Sequence, residues 1–262
     1  MFSRTDLAVI EASGPDTERF LQGQLTCDVS ALKTGEGTWG GCCTPKGRLV
    51  AVFQLIRLAD DRFALVLPAE TVSPCLAHLN KYRVFFKVTL STETPLQVIC
   101  AEASEPLPDT CTLLPPRVSG WQHALLPGNG TSSDDDLSRS LLVAELRAGL
   151  PVILPATSGE FIPQAVGLDT LGGVSFSKGC YTGQEVVART HYKGKTKKHL
   201  ALLTGPAPVA PGTPLTNTES TRRGTVLVSA ADGDQFWIQA VLDGAADGEN
   251  LLADNVAILR AG

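Results

Sequence analysis

The order of apolar runs between residues 7 and 90 constrains the fold more than any other feature: strand, helix, three strands, helix, strand. Leu7-Ala8-Val9-Ile10-Glu11 reads as a strand, and Pro15 then opens a helix that carries Phe20 and Leu21 on one face. Residues 38–44 and 47–58 read as two strands around the turn Thr44-Pro45-Lys46-Gly47, where proline presets the second position and glycine suits the fourth. Arg62 to Leu67 makes another strand, a helix from about Thr71 to Tyr82 carries Leu76 and Leu79, and Val84 to Leu90 returns as a strand. This order fits a split β-α-β unit with an added hairpin strand, and so an α+β layer.

Residues 105–136 are rich in proline, serine, glycine and aspartate and read as a loop. Leu137 to Gly149 reads as a helix closed by glycine, with Leu141, Leu142, Glu145 and Leu146 at helical spacing. A proline-rich connector follows at residues 205–212, and short β-rich runs at 224–229, 236–242 and 256–259 fit a small barrel or sandwich.

With 262 residues, 43% of them hydrophobic, the chain can bury a core and is long enough for two or three domains. A formal charge of -5 argues against binding nucleic acid through bulk charge, although a local basic patch is allowed. The start Met1-Phe2-Ser3-Arg4-Thr5-Asp6 has no basic region leading into a long apolar stretch, which suggests a cytoplasmic protein without membrane association. Seven cysteines (27, 42, 43, 75, 100, 111 and 180) form an odd set without a Cys-x-x-Cys pair, fitting neither a disulfide framework nor a zinc site. The histidines at 78, 123, 191 and 199 have no ligand spacing, and no metal is assigned.

Chemistry concentrates in Lys178-Gly179-Cys180-Tyr181-Thr182-Gly183-Gln184-Glu185. Gly172 to Ser177 reads as a turn and a strand, so Lys178 and Cys180 are expected to project to one side at a strand-to-helix junction. An ammonium group and a helix start both favour thiolate, which makes Cys180 the candidate reactive group and Lys178 its partner. Thr182 and Glu185 have the spacing of a capping box, Gly183 lets another surface approach closely, and the Gln184 amide offers donors and an acceptor to a mixed ligand edge.

The octapeptide resembles the signature of the YgfZ family of folate-binding proteins, relatives of the glycine-cleavage aminomethyltransferase. Phe20 to Val29, Pro45-Lys46-Gly47-Arg48, Lys81 to Val88, Arg147-Ala148-Gly149-Leu150-Pro151 and Phe161-Ile162-Pro163-Gln164 resemble further family segments in the expected order, spanning roughly residues 7–200. The resemblance implies two ferredoxin-like lobes within residues 1–192, broken at about 105–136, and a C-terminal β-barrel from 193 to 262, around a central folate channel. It also implies tetrahydrofolate as cofactor, in its polyglutamylated cellular form, and support of iron–sulfur enzymes, including those that thiolate tRNA. Iron–sulfur client or carrier proteins would be the partners, with no direct nucleic-acid contact.

On this resemblance, catalytic roles fall to Cys180 and Lys178, and folate binding to Lys178, Cys180, Tyr181 and Gln184. Tyr181 would stack on the pterin or belong to the core at the helix base. The transferase relatives carry a catalytic aspartate in the first half and lack the cysteine. Pro68-Ala69-Glu70-Thr71-Val72-Ser73 does not show their Asn-and-Asp pattern, which counts against a one-carbon transferase and leaves an accessory protein or a non-catalytic scaffold. Residues 189–199, with five Lys or Arg and no acid, admit three readings: a solvated linker, a seat for the polyglutamate tail, or RNA contact around Tyr192.

Overall fold

A computed structural model describes residues 1–260 except Asn129, Lys195, Asp247 and Asn255. In chain order the elements are β1 (Phe2–Ser3), β2 (Leu7–Ser13), α1 (Thr17–Gln24), β3 (Gly37–Cys43), β4 (Leu49–Ala59), β5 (Arg62–Pro68), α2 (Val72–Tyr82) and β6 (Thr89–Ser91). Then come β7 (Leu96–Glu102), β8 (Thr112–Leu113), β9 (Trp121–Pro127), α3 (Asp135–Arg147) and α4 (Gln184–Lys193). The chain continues with β10 (Lys198–Gly205), β11 (Pro214–Thr216), β12 (Arg222–Asp232), β13 (Gln235–Asp243), β14 (Leu251–Ala253) and β15 (Val256–Arg260).

The first sheet runs β3-β4-β5-β2-β6 and is antiparallel throughout. Its central strands are apolar almost without alternation, and the reason is burial on both faces. On one face, Ile10, Phe53, Leu55, Phe63 and Leu65 pack against Phe20 and Leu21 of α1 and Cys75 and Leu79 of α2. On the other, Val9, Ile56, Ala64 and Val66 meet Val98 and Leu125 of the second sheet. An eight-residue helix such as α1 is marginal alone. Its fully buried Phe20 and Leu21 each contribute about 1.5–3 kcal/mol, which fixes it on the sheet.

The second sheet runs β1-β7-β9-β8, so the chain begins in this sheet before crossing to the first. The expected loop at 105–136 is therefore corrected: β9 pairs with β7 along its whole length, because His123, Ala124 and Leu125 form a short buried run hidden among turn residues. Helix α3 starts at Asp135, where the Asp134 side chain accepts from the Leu137 amide, and Gly149 at φ +75 turns the chain away. The strand expected at Val84–Leu90 shrinks to β6. Arg83–Phe85 is a 3₁₀ turn, and the Lys87 backbone is engaged by Asp16 instead of by a ladder. Barrel closure in the order β10-β13-β12-β11-β14-β15 decides between barrel and sandwich. Apolar side chains of β3, β4, α3, α4, β12 and β13 share one cluster, so both lobes and the barrel meet there.

Beside that cluster lies a buried ionic network. Arg117 grips Glu145 of α3 with Nε–Oε1 2.7 Å and Nη2–Oε2 2.9 Å, and Arg4 Nη1 donates to the same Oε1 at 2.9 Å. Burial alone would raise the Glu145 pKa, but Arg117 and Arg4 outweigh it and hold the carboxyl well below its usual range. Arg4 Nη1 also lies 3.1 Å from His123 Nε2, which must accept, so the His123 proton sits on Nδ1. Burial, then the charge of Arg117, lower the His123 pKa to about 3.

Unfolded, His123 would titrate near 6.5, so between pH 6.5 and 3 the unfolded chain binds the extra proton and stability falls with acid. Urea titrations should lose about 3 kcal/mol from this residue between pH 6.5 and pH 4. A His123→Gln variant should have a much flatter profile over that window. An unchanged slope would show that His123 is charged in the native state.

Candidate functional site

Residues 173–182 are bound to the C-terminal end of α1. Thr26 Oγ1 donates to the Gly173 carbonyl at 2.6 Å, the Ser175 amide to Thr26 O at 2.8 Å, and the Thr182 amide to Gly23 O at 3.1 Å. Lys178 then inserts its ammonium, with Nζ 2.9 Å from Leu25 O and 2.7 Å from Cys27 O. These carbonyls lie at and just past the negative end of α1, where a cation is favoured. Burial lowers the Lys178 pKa to about 8, against the opposing pull of Cys27 and Asp28. The segments Phe20–Val29 and 178–185 are thus two halves of one local structure.

Three local expectations are corrected. The stretch at 174–177 is irregular and not a strand, because its backbone is tied to α1 and not to a sheet. Lys178 is buried while Cys180 is exposed, so they do not project to the same side, and the ammonium serves carbonyls instead of the thiol. The capping box does not form. Gly183 occupies the N-cap of α4 at φ +84, and Thr182 Oγ1 donates instead to Gln24 Oε1 at 3.0 Å.

Tyr181 is a core residue at the helix base, its ring 5.2 Å from Lys178 Nζ. Its hydroxyl is buried without a partner among the described residues, and burial raises its pKa, so it remains protonated. Gln184 is half-buried in the first turn of α4. Gly183 does allow a close approach: a methyl there would meet Thr44 O at 2.5 Å and Gly47 Cα at 2.9 Å. The tip of the β3–β4 hairpin therefore lies against the start of α4. Cys27, Cys42, Cys43, Cys75 and Cys100 are buried, Cys111 is intermediate and Cys180 is exposed.

A second constellation was missed from sequence. Asp6, Glu70, Arg117 and Glu145 line a cavity of about 100 Å³, together with apolar walls that include Leu154 and Val228. Both lobes and the barrel contribute to it. Arg4 clamps Asp6 at 2.8 and 2.7 Å, and Arg117 Nη1 reaches Gln54 Oε1 at 3.2 Å. Glu70 is exposed and, among the described residues, has no side-chain partner. Lys178, Cys180 and Tyr181 are not among the residues lining this cavity. The one sequence signal for it was Glu145, an acid within the apolar stripe of α3. Among the described residues no group of three His, Cys, Asp or Glu side chains is placed to hold a metal ion, and no helix is long and apolar enough to cross a membrane.

No family model matches the chain. Among curated proteins, the tRNA-modifying protein YgfZ of Pectobacterium carotovorum is 36% identical, over 96% of this chain and 86% of its own length. That of Klebsiella pneumoniae is 34% identical over 97% and 89%, and that of Escherichia coli O157:H7 35% identical over 91% and 83%. Among solved structures, the glycine cleavage system aminomethyltransferase T from Bartonella henselae superposes with a TM-score of 0.67 at 17% identity, covering all of this chain and 84% of that one. The likeness to the transferase is one of fold, whereas the sequence identity extends along nearly the whole chain, and the protein belongs to the YgfZ family.

Proposed function

We propose that this protein binds tetrahydrofolate in the cavity between its lobes and barrel, and supports assembly or repair of iron–sulfur clusters in client enzymes, including those that modify tRNA. What carries this reading is the near full-length match to proteins named for tRNA modification, with the octapeptide inside it and its cysteine exposed. The cavity's donor set supports the folate part. A pterin edge offers N–H donors beside a carbonyl acceptor, and Glu70, Asp6 and Arg117 supply carboxylates and a guanidinium in matching proportion, between apolar walls.

The room does not match as closely. A volume of about 100 Å³ is well below the several hundred Å³ usual for a ligand of this size, so admission requires the wall around Glu70 and Leu154 to part. Glu70, exposed and unpaired, is the acceptor free to take the pterin edge. Arg117 is held in place by Glu145 and by its stack on Trp39, with Cζ 5.2 Å from that ring. Cys180 lies outside the cavity lining, and its thiol is available to a partner protein. We assign it to the encounter with the client or carrier.

Isothermal titration with tetrahydrofolate should show saturable binding, weakened about tenfold by Glu70→Gln, as expected for loss of one hydrogen bond to a charged group, with the melting temperature unchanged. Absence of binding would remove folate from the function. In a deletion strain, Cys180→Ala should fail to restore iron–sulfur enzyme activity although its melting temperature matches the parent. Full rescue would take the thiol out of the mechanism. Reaction of the native protein with Ellman's reagent should give one fast thiol, lost in Cys180→Ala, a slower one from Cys111, and the five buried thiols only after denaturation.

A further inference from the structure

The basic stretch after the octapeptide acquires a shape in the folded protein. Helix α4 places Arg189 and Lys193 one turn apart on an exposed stripe. The β3–β4 hairpin extends the stripe at its other end. A methyl on Gly47 would stand 2.8 Å from Val186 Cβ, so the tip rests on α4 and sets exposed Lys46 beside it. Among the described residues, the side chains of Lys46, Arg189 and Lys193 have no ion-pair or hydrogen-bond partner. Three cations without acid partners thus lie along one ridge of an acidic protein, with Glu185 the acid on the stripe itself. Hollows of about 550 and 440 Å³ flank it, and both are lined by Arg189 and Lys193.

Tyr192 lines one of these hollows beside Arg189 and Lys193, backed by two further rings. Phe176 stacks on His191 at 3.7 Å and 14°, and Tyr192 stands edge-on to His191 at 4.9 Å while remaining 68% exposed. Cations alone would suit any polyanion. Cations interleaved with an exposed ring braced by a stacked pair suit a strand that offers phosphates and bases together.

We infer that this ridge binds single-stranded nucleic acid, with Lys46, Arg189 and Lys193 taking successive phosphates and Tyr192 stacking on a base. The inference does not depend on folate binding. The shared chemistry is a sugar–phosphate strand with unpaired bases, and the test separates RNA from DNA and both from an acidic peptide.

Fluorescence anisotropy would be followed for the full chain with labelled twelve-residue oligouridylate, oligothymidylate and oligoglutamate, from 50 to 200 mM salt. Binding of the oligonucleotides should fall with a log–log salt slope of about -2, as three neutralised phosphates on a single strand require. Arg189→Ala with Lys193→Ala should weaken binding and reduce that slope by about 1.4. Tyr192→Ala should weaken binding several-fold with the slope unchanged, and Lys33→Ala, away from the ridge, should do nothing. A preference for oligouridylate over oligothymidylate assigns the strand as RNA, and the reverse as DNA. The inference is overturned if neither oligonucleotide binds at 50 mM salt. It is equally overturned if oligoglutamate binds as well as they do and Tyr192→Ala has no effect, which would make the ridge a seat for acidic chains.

Discussion

A carboxylate buried between two guanidinium groups holds this architecture together. Glu145 takes Arg117 from the segment before β9 and Arg4 from the crossing between the two sheets, so three distant parts of the chain converge on one helix. Burying such charges is costly, and removing one partner would leave the others uncompensated, a loss of about 3–5 kcal/mol. The consequences spread from there. Helix α3 carries Val143 and Leu146 into the cluster shared with β12 and β13, so the ion cluster also sets where the barrel sits. Arg4 follows directly on β1, which anchors the chain's first residues in the second sheet.

A second electrostatic fixture organises the signature segment. Lys178 satisfies two carbonyls at the end of α1, and this moves it from the surface into the structure. Its charge stabilises a helix terminus, and its neighbour Cys180 remains outside. The same segment supplies Gly183, whose missing side chain lets the β3–β4 hairpin rest against α4. Lysine, cysteine and glycine sit within six residues, yet one holds a helix end, one faces the solvent and one makes room for a hairpin.

Period and turn chemistry made much of the fold legible. Strands β2 to β5, helices α1 to α3 and the three barrel strands β12, β13 and β15 follow from apolar pattern, Pro45 and Gly47 in the hairpin, and Gly149 after α3, whereas β10, β11 and β14 did not stand out. Strand β9 escaped because its apolar centre is only a few residues long and its flanks carry the residues of loops. The strand expected at 84–90 failed for the opposite reason. Val84 and Phe85 have strand-forming side chains but are 75% and 90% exposed on a 3₁₀ turn, and Asp16 claims the Lys87 backbone that a ladder would have used. Of the candidate site, the octapeptide was visible as a contiguous string. The Arg4, Arg117 and Glu145 cluster was not, because its members are separated by up to 141 residues and no local pattern links them.

By itself the sequence determined the element types of most of the chain, its kinship with the YgfZ family and the segment on which its chemistry turns. These depend on neighbours in the chain: the spacing of apolar residues, the φ preferences of proline and glycine, and a string of eight residues. Only the tertiary structure decided which way each functional side chain faces. Lys178 went to carbonyls and not to the thiol, Thr182 to Gln24 and not to a helix cap, and Gly47 against the start of α4. Each of those choices was made by a hydrogen-bond acceptor or a closely packed neighbour more than a hundred residues away, where the nearest available partner in three dimensions outcompetes the one suggested by spacing.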